Sequence, residues 1–221
     1  MQFKTASCAA IAALSLGGVA NADFVGVVGG QTSVLLDFEL ISSVTDLELT
    51  GVSDGVVLPG NLGDESVAFT ITSRYAANDA TDFLYDADDF IATFSGTIAH
   101  RGTLTFNESI TIGNFDIAFD EGLGAFAVSD TFFDGTGLGA LFAIGLPLTI
   151  SPLEQTFDAV GDLLVTENFA TILLDLGLTT VDLTGADVGD AFIQGYNQAI
   201  PGPGPLVLAA IAAAGARRRR R

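Results

Sequence analysis

Apolar positions recur at every second residue in much of this chain: Val67, Phe69 and Ile71 alternate with Ala68, Thr70 and Thr72. A period of two sends one set of side chains to a buried face and the other towards solvent, which predicts a strand. Phe90, Ala92 and Phe94, followed by Thr97 to Ala99, predict a further extended run, and Thr103 to Phe106 another after Gly102. Ile110 and Ile112 keep one phase, whereas Phe115, Ile117 and Phe119 keep the opposite one. A bulge at Gly113 and Asn114 would restore the facing. Asp120-Glu121-Gly122 then predicts a turn, with Ala125 to Val128 as the return strand. Short strands punctuated by Gly and Asp turns predict a mostly β body, an antiparallel β-sandwich or barrel.

One stretch has a different period. Phe169, Ile172, Leu173 and Leu176 recur at helical spacing, with Thr166 placed to cap the start and Gly177 the end. One short α-helix over residues 167–176 is therefore expected to cover an open end of the sheets. Gly185 to Asp190 reads as a loop, Ala191 to Ile193 as a last short strand, and residues 194–200 as a linker. The body accordingly spans residues 23–193, one domain's worth of chain without an internal repeat.

The two ends have patterns of their own. Met1 to Lys4 carries one positive charge and precedes an apolar run from Ala6 to Val19, closed by Ala20, Asn21 and Ala22. That is the charge, length and small-x-small layout of a signal peptide, residues 1–22, whose helix is too short to span a bilayer. Signal peptidase is expected to cut after Ala22 and leave Asp23 as the new N-terminus. At the other end Pro201, Gly202, Pro203, Gly204 and Pro205 cannot continue a helix or strand, so they make an exposed, cleavable segment. An apolar stretch from Leu206 to Ala216 follows, then Arg217, Arg218, Arg219, Arg220 and Arg221. As a short membrane helix this stretch reaches about 16 Å, against a hydrocarbon core of about 30 Å. The arginines resist translocation and act as a stop on the cytoplasmic side.

A small motif, a short apolar helix and a terminal arginine cluster resemble the PEP-CTERM sorting signal, and the resemblance covers residues 201–221 only. In that family the motif is Pro-Glu-Pro; here Pro203, Gly204 and Pro205 stand in its place, without the glutamate. The resemblance implies processing by an exosortase-like enzyme, transient residence in the inner membrane, and an association with exopolysaccharide or matrix at the cell surface.

Charge changes the picture of the body. All 27 acidic residues lie between Asp23 and Asp190, against Arg74 and Arg101 alone, a net charge of −25. Such a field repels phosphate backbones, so nucleic acid is not an expected partner, and it favours solubility where salt screens the self-repulsion. The sole cysteine, Cys8, falls in the leader, which leaves the body without disulfides or thiolate ligands.

Candidate chemistry is sparse. His100 is the only histidine and stands beside Arg101 before Gly102, the setting of a surface turn residue. One histidine without a nucleophile elbow does not make a triad or a zinc site. Asp82, Asp86, Asp88 and Asp89 crowd one stretch around Tyr85, and hard cations take several oxygens from such loops, so calcium is the metal to consider. The EF-hand spacing is absent. The leading expectation is a non-catalytic, structural or adhesive protein, exported to the envelope surface or beyond and needing no cofactor. The alternative is a secreted hydrolase, carbohydrate-active or other, using an Asp/Glu pair; a body without Trp argues against a sugar-stacking cleft.

Overall fold

A computed structural model describes residues 24–145 and 149–200 of the chain. The stretches read as a signal peptide, with Ala20, Ala22 and Asp23, and as a sorting motif, with the apolar tail and the arginine cluster, lie outside the described residues. Among the described residues fourteen strands run in chain order: β1 (Phe24–Leu36), β2 (Leu49–Val52), β3 (Val56–Val57), β4 (Val67–Ile71), β5 (Leu84–Asp86), β6 (Thr97–Arg101), β7 (Thr103–Phe106), β8 (Ile110–Gly113), β9 (Asp116–Asp120), β10 (Ala125–Asp130), β11 (Gly139–Ile144), β12 (Thr149–Pro152), β13 (Thr156–Val165) and β14 (Asp187–Ala199). Among the described residues three α-helices and a 3-10 turn at Phe133–Gly135 accompany them: α1 (Phe38–Val44), α2 (Phe90–Thr93) and α3 (Glu167–Asp175). Among the described residues no helix is long and apolar enough to cross a membrane.

The sheet closes on itself. β1 pairs with β14 on one side and with β4 on the other, so the path β1-β4-β6-β9-β10-β11-β13-β14 returns to its start as an eight-stranded antiparallel barrel. Between sandwich and barrel the chain takes the barrel, which leaves no edge in the ring. Closure depends on the middle of β1, whose N-terminal part pairs with β5 and whose C-terminal part pairs with β4. Between them its register with β14 shifts at Val27/Gly29, and Gly30 adopts φ +132 with its α-carbon against the Gln194 backbone. A side chain there would strike that backbone, so glycine permits the bend.

Period-two patterning then fills the barrel. β13 buries Phe157, Ala159, Gly161, Leu163 and Val165 while Asp158, Val160 and Asp162 face outwards. Each fully buried Leu or Phe contributes about 2 kcal/mol by leaving water. The two ends of the barrel are filled differently. Phe83, Tyr85, Phe90 and Phe157 pack ring against ring where Phe24 and Ile200 emerge, with centroids 5.1 Å apart for Phe83–Phe157 and 5.3 Å for Tyr85–Phe90. The Tyr85 hydroxyl donates to the Leu153 carbonyl at 2.7 Å and accepts from Asn197 at 2.6 Å; burial pushes its pKa up to about 12.

The opposite end is roofed by α1, α3 and the small sheet β2-β7-β8. β7 continues β6 past Gly102, and β8 leads into β9 past Gly113 and Asn114, so the chain bends out of the barrel and back. The phase break at Gly113 and Asn114 marks this change of sheet, where a bulge within one strand was expected. Its apolar face, Leu104, Phe106 and Ile112, packs on Phe69, Phe115 and Leu141 as a second core.

Several expectations need correction. Phe90 to Thr93 is one helical turn, α2, because Phe90 and Phe94 stack at 5.1 Å, an i, i+4 contact that a strand cannot make. α1 is an additional helix, its Asp37 side chain accepting the Leu40 N–H at 2.8 Å. Residues 194–199 form the second half of β14, with no linker there: its register runs on both sides, to β1 and to β13. α3 has the expected start, with the Thr166 hydroxyl accepting from the Phe169 N–H at 3.2 Å, and Gly177 at φ +68 ends it.

Candidate functional site

At the roofed end the side chains, Phe69, Phe115 and Phe142 among them, do not fill the barrel as the rings do at the other end. A cavity of about 80 Å³ remains, floored by Thr32, His100 and Ile117 and roofed by Ile41, Val44 and Leu183. A second, larger space of about 250 Å³ lies between α3 and β8, with Phe133 and Leu138 on its outer side and Asp175 at its rim. Leu47, Phe106, Ile112, Phe169 and Leu173 line both, so one apolar partition separates groove from cavity.

The floor holds the sole histidine, and the structure overturns its assignment as a surface turn residue. His100 is 2% exposed because β6 alternates Ile98 and His100 inward, in register with Ile117 and Ile71. The Phe115 carbonyl, 2.8 Å from Nδ1, can only accept, so Nδ1 carries the proton. Nε2 is then an acceptor, and the Thr32 hydroxyl donates to it at 2.7 Å. Burial lowers the His100 pKa to about 4, against the opposing pull of the Phe115 and Ile98 carbonyls. A neutral ring with both nitrogens engaged offers neither a base nor a metal ligand to anything entering the cavity.

The outer wall of the groove is held by one carboxylate. Asp130 is 1% exposed and accepts four backbone N–H groups: Gly113 at 2.6 Å, Phe132 at 3.3 Å, Phe133 at 3.1 Å and Leu138 at 2.9 Å. It ties the loop that carries Phe133 and Leu138 to the end of β8. The Asp130 pair with Phe132 and Phe133 follows the Asx-turn pattern, legible from an Asp before a Gly-rich loop; the bonds to Gly113 and Leu138 are not local.

No family model matches the chain. No curated protein matches it either. Among solved structures it is similar to the C-terminal domain of HtaA from Corynebacterium glutamicum, at a TM-score of 0.49 and 13% identity, covering 79% of this chain and 99% of that one.

The four aspartates considered for calcium are not gathered. Asp82 accepts the Thr97 N–H at 2.6 Å, Asp86 accepts the Asp88 N–H at 3.0 Å, and Asp89 precedes α2 without a side-chain cap bond. Among the described residues no three His, Cys, Asp or Glu side chains are grouped to hold a metal ion. Asp116 has its pKa raised by partial burial and by the charges of Asp79 and Asp82. None of these acids lines the cavity or the groove. Calcium at Asp82, Asp86, Asp88 and Asp89 is open to a direct test. A site built by the ion itself raises the melting temperature more with calcium than with magnesium at equal ionic strength, because magnesium demands octahedral geometry. Equal shifts in the two titrations mean screening of a solvated acidic loop.

Proposed function

We propose that this chain is an exported, non-catalytic barrel protein of the cell envelope or its matrix, held for a time at the inner membrane by its tail and processed there by an exosortase-like enzyme. The observation that carries this reading is the placing of the two ends. The Ile200 N–H donates to the Phe24 carbonyl at 2.7 Å, and Val25 lies opposite Ala199, so a leader before Phe24 and a tail after Ile200 would attach side by side. They do so at the ring-packed end, away from α1 and α3. The 13 residues of β14 span about 43 Å along the strand, or about 30 Å along the axis of a tilted barrel. A tail anchored in a membrane would hold the roofed end that far from its surface, and removing the leader would leave the barrel untouched. The two cavities, lined almost wholly by apolar side chains, support the non-catalytic half of the reading.

Mass spectrometry of both termini of the native protein tests this, with Asp23 expected at the start. Replacing Arg217 to Arg221 with serine is expected to release protein with an uncut tail, since nothing then holds the short helix. Changing Pro203 and Pro205 to alanine should retain the anchor and block the cut, because a helix can then extend over the processing site. Wild-type fractionation in both variants, or an intact Met1 on surface protein, would sink the reading.

A further inference from the structure

We propose that the groove between α3 and β8 is a binding site for a small molecule with an aliphatic chain and no negative charge, whose end reaches through the partition into the barrel. This goes beyond the export reading and does not rest on it. The inner cavity, about 80 Å³, is smaller than the about 150 Å³ apolar cavity that accepts benzene and stays free of water. The groove, about 250 Å³, is larger than that, and its lining has the mostly apolar character of ligand sites. The partition between them includes Leu47 and Phe169, both half-buried, on a loop and on a nine-residue helix at the barrel mouth. Entry to the barrel requires these two to turn aside, because Phe106 and Ile112 are fixed in the small sheet and Leu173 is buried.

The chemistry of the occupant follows from what faces it. Inside, the Thr32 and His100 polar atoms are turned to each other and to the Phe115 carbonyl, so the deep end offers a ligand no hydrogen-bonding partner it needs. That end must be hydrocarbon. At the mouth Asp175 is the one charged lining residue among the described residues, and the body around it carries −25. An anionic headgroup, a fatty acid's carboxylate included, is repelled there; an alcohol or another neutral head is not.

Titration of the full chain with N-phenyl-1-naphthylamine, an uncharged fluorescent probe, is the test, the apolar tail being common to every variant compared. Saturable one-to-one enhancement is expected, with displacement by 1-decanol at least tenfold more effective than by decanoate at low salt and a narrower gap in 0.5 M salt. Ile172→Trp, at a half-buried position that lines only the groove, should weaken the probe tenfold or more at unchanged melting temperature. Ile110→Trp, across the groove on β8, replaces it if the helix variant fails to fold. Non-saturating enhancement in the wild type, or wild-type affinity in a folded groove-filling variant, overturns the proposal. So does decanoate competing as well as decanol at low salt.

Discussion

Replacing Asp130 with alanine is expected to cost about 4 kcal/mol and to lower the melting temperature by about 10 °C. A hydrogen bond to a charged group contributes about 1.5 to 3 kcal/mol, and a buried donor left unpaired costs its full desolvation. Asp130 serves four such donors. The sum is discounted because Phe132 is exposed and its N–H can turn to water, whereas Gly113 is buried and its N–H cannot. Asp130→Asn keeps the shape and one acceptor oxygen but turns an amide N–H₂ towards two donors, so about half the loss is expected. Urea unfolding and thermal melting, both followed by circular dichroism, measure the two effects for each variant. A drop of under 3 °C for the alanine variant would mean that the loop holding Phe133 and Leu138 is fixed by something else. The same variant loosens the outer wall of the groove, so probe binding should weaken even at temperatures where the barrel stays folded.

What could be read ahead of the structure divides along physical lines. Local periodicity was legible in β4 and in the β9–β10 hairpin because the buried inner face sets the spacing of bulky residues such as Phe69, Ile71 and Ile117, although Ala68 and Ala127 on the other phase are buried too; the alternation of β13 went unread. α3 was legible for the same reason, with a capping threonine and a terminating glycine at its ends. β14 was read short because Gln194, Tyr196 and Gln198 alternate with Gly195 and Asn197, a sequence poor in apolar residues. Its pairing on both sides supplies backbone hydrogen bonds that no side-chain pattern announces. α2 misled because Phe90, Ala92 and Phe94 satisfy period two as well as the i, i+4 spacing of a helix; a run that short cannot separate them.

The site was the least legible part. Barrel closure depends on β1 bending at Gly29 and Gly30 to serve three partners, a long-range property. Without closure there is no interior, and without an interior His100 reads as one more polar residue near a turn. Its phase did carry a signal: Ile98 and His100 share a face two residues apart, and a histidine in the apolar phase of a strand is a buried one. The groove needed the tertiary structure outright, since Leu47, Ile112, Phe133 and Ile172 come from four separate elements.

Acidification offers the second large effect, through His100. Its pKa is about 4 in the folded barrel and about 6.5 in the unfolded chain. Between those values the unfolded state takes up a proton that the native state refuses, so stability falls as the pH drops through that window and is unaffected by this group above it. The loss is about 3 kcal/mol in full and about 2 kcal/mol between pH 7.5 and pH 5. The carboxylates add a pH dependence of their own, and Asp116, with its pKa raised, opposes the trend. Comparison with His100→Gln removes both complications, since the carboxylates are common to the two proteins. The glutamine keeps a donor for the Phe115 carbonyl and an acceptor for the Thr32 hydroxyl, but does not titrate. Urea midpoints at pH 7.5, 6.5, 5.5 and 5.0 should converge for the two proteins as the pH falls, the wild type losing about 2 kcal/mol that the variant keeps. Parallel slopes would mean that the imidazole ionises inside the native barrel at an ordinary pKa. That in turn requires water at the cavity floor, and a wet floor is incompatible with a hydrocarbon chain reaching it.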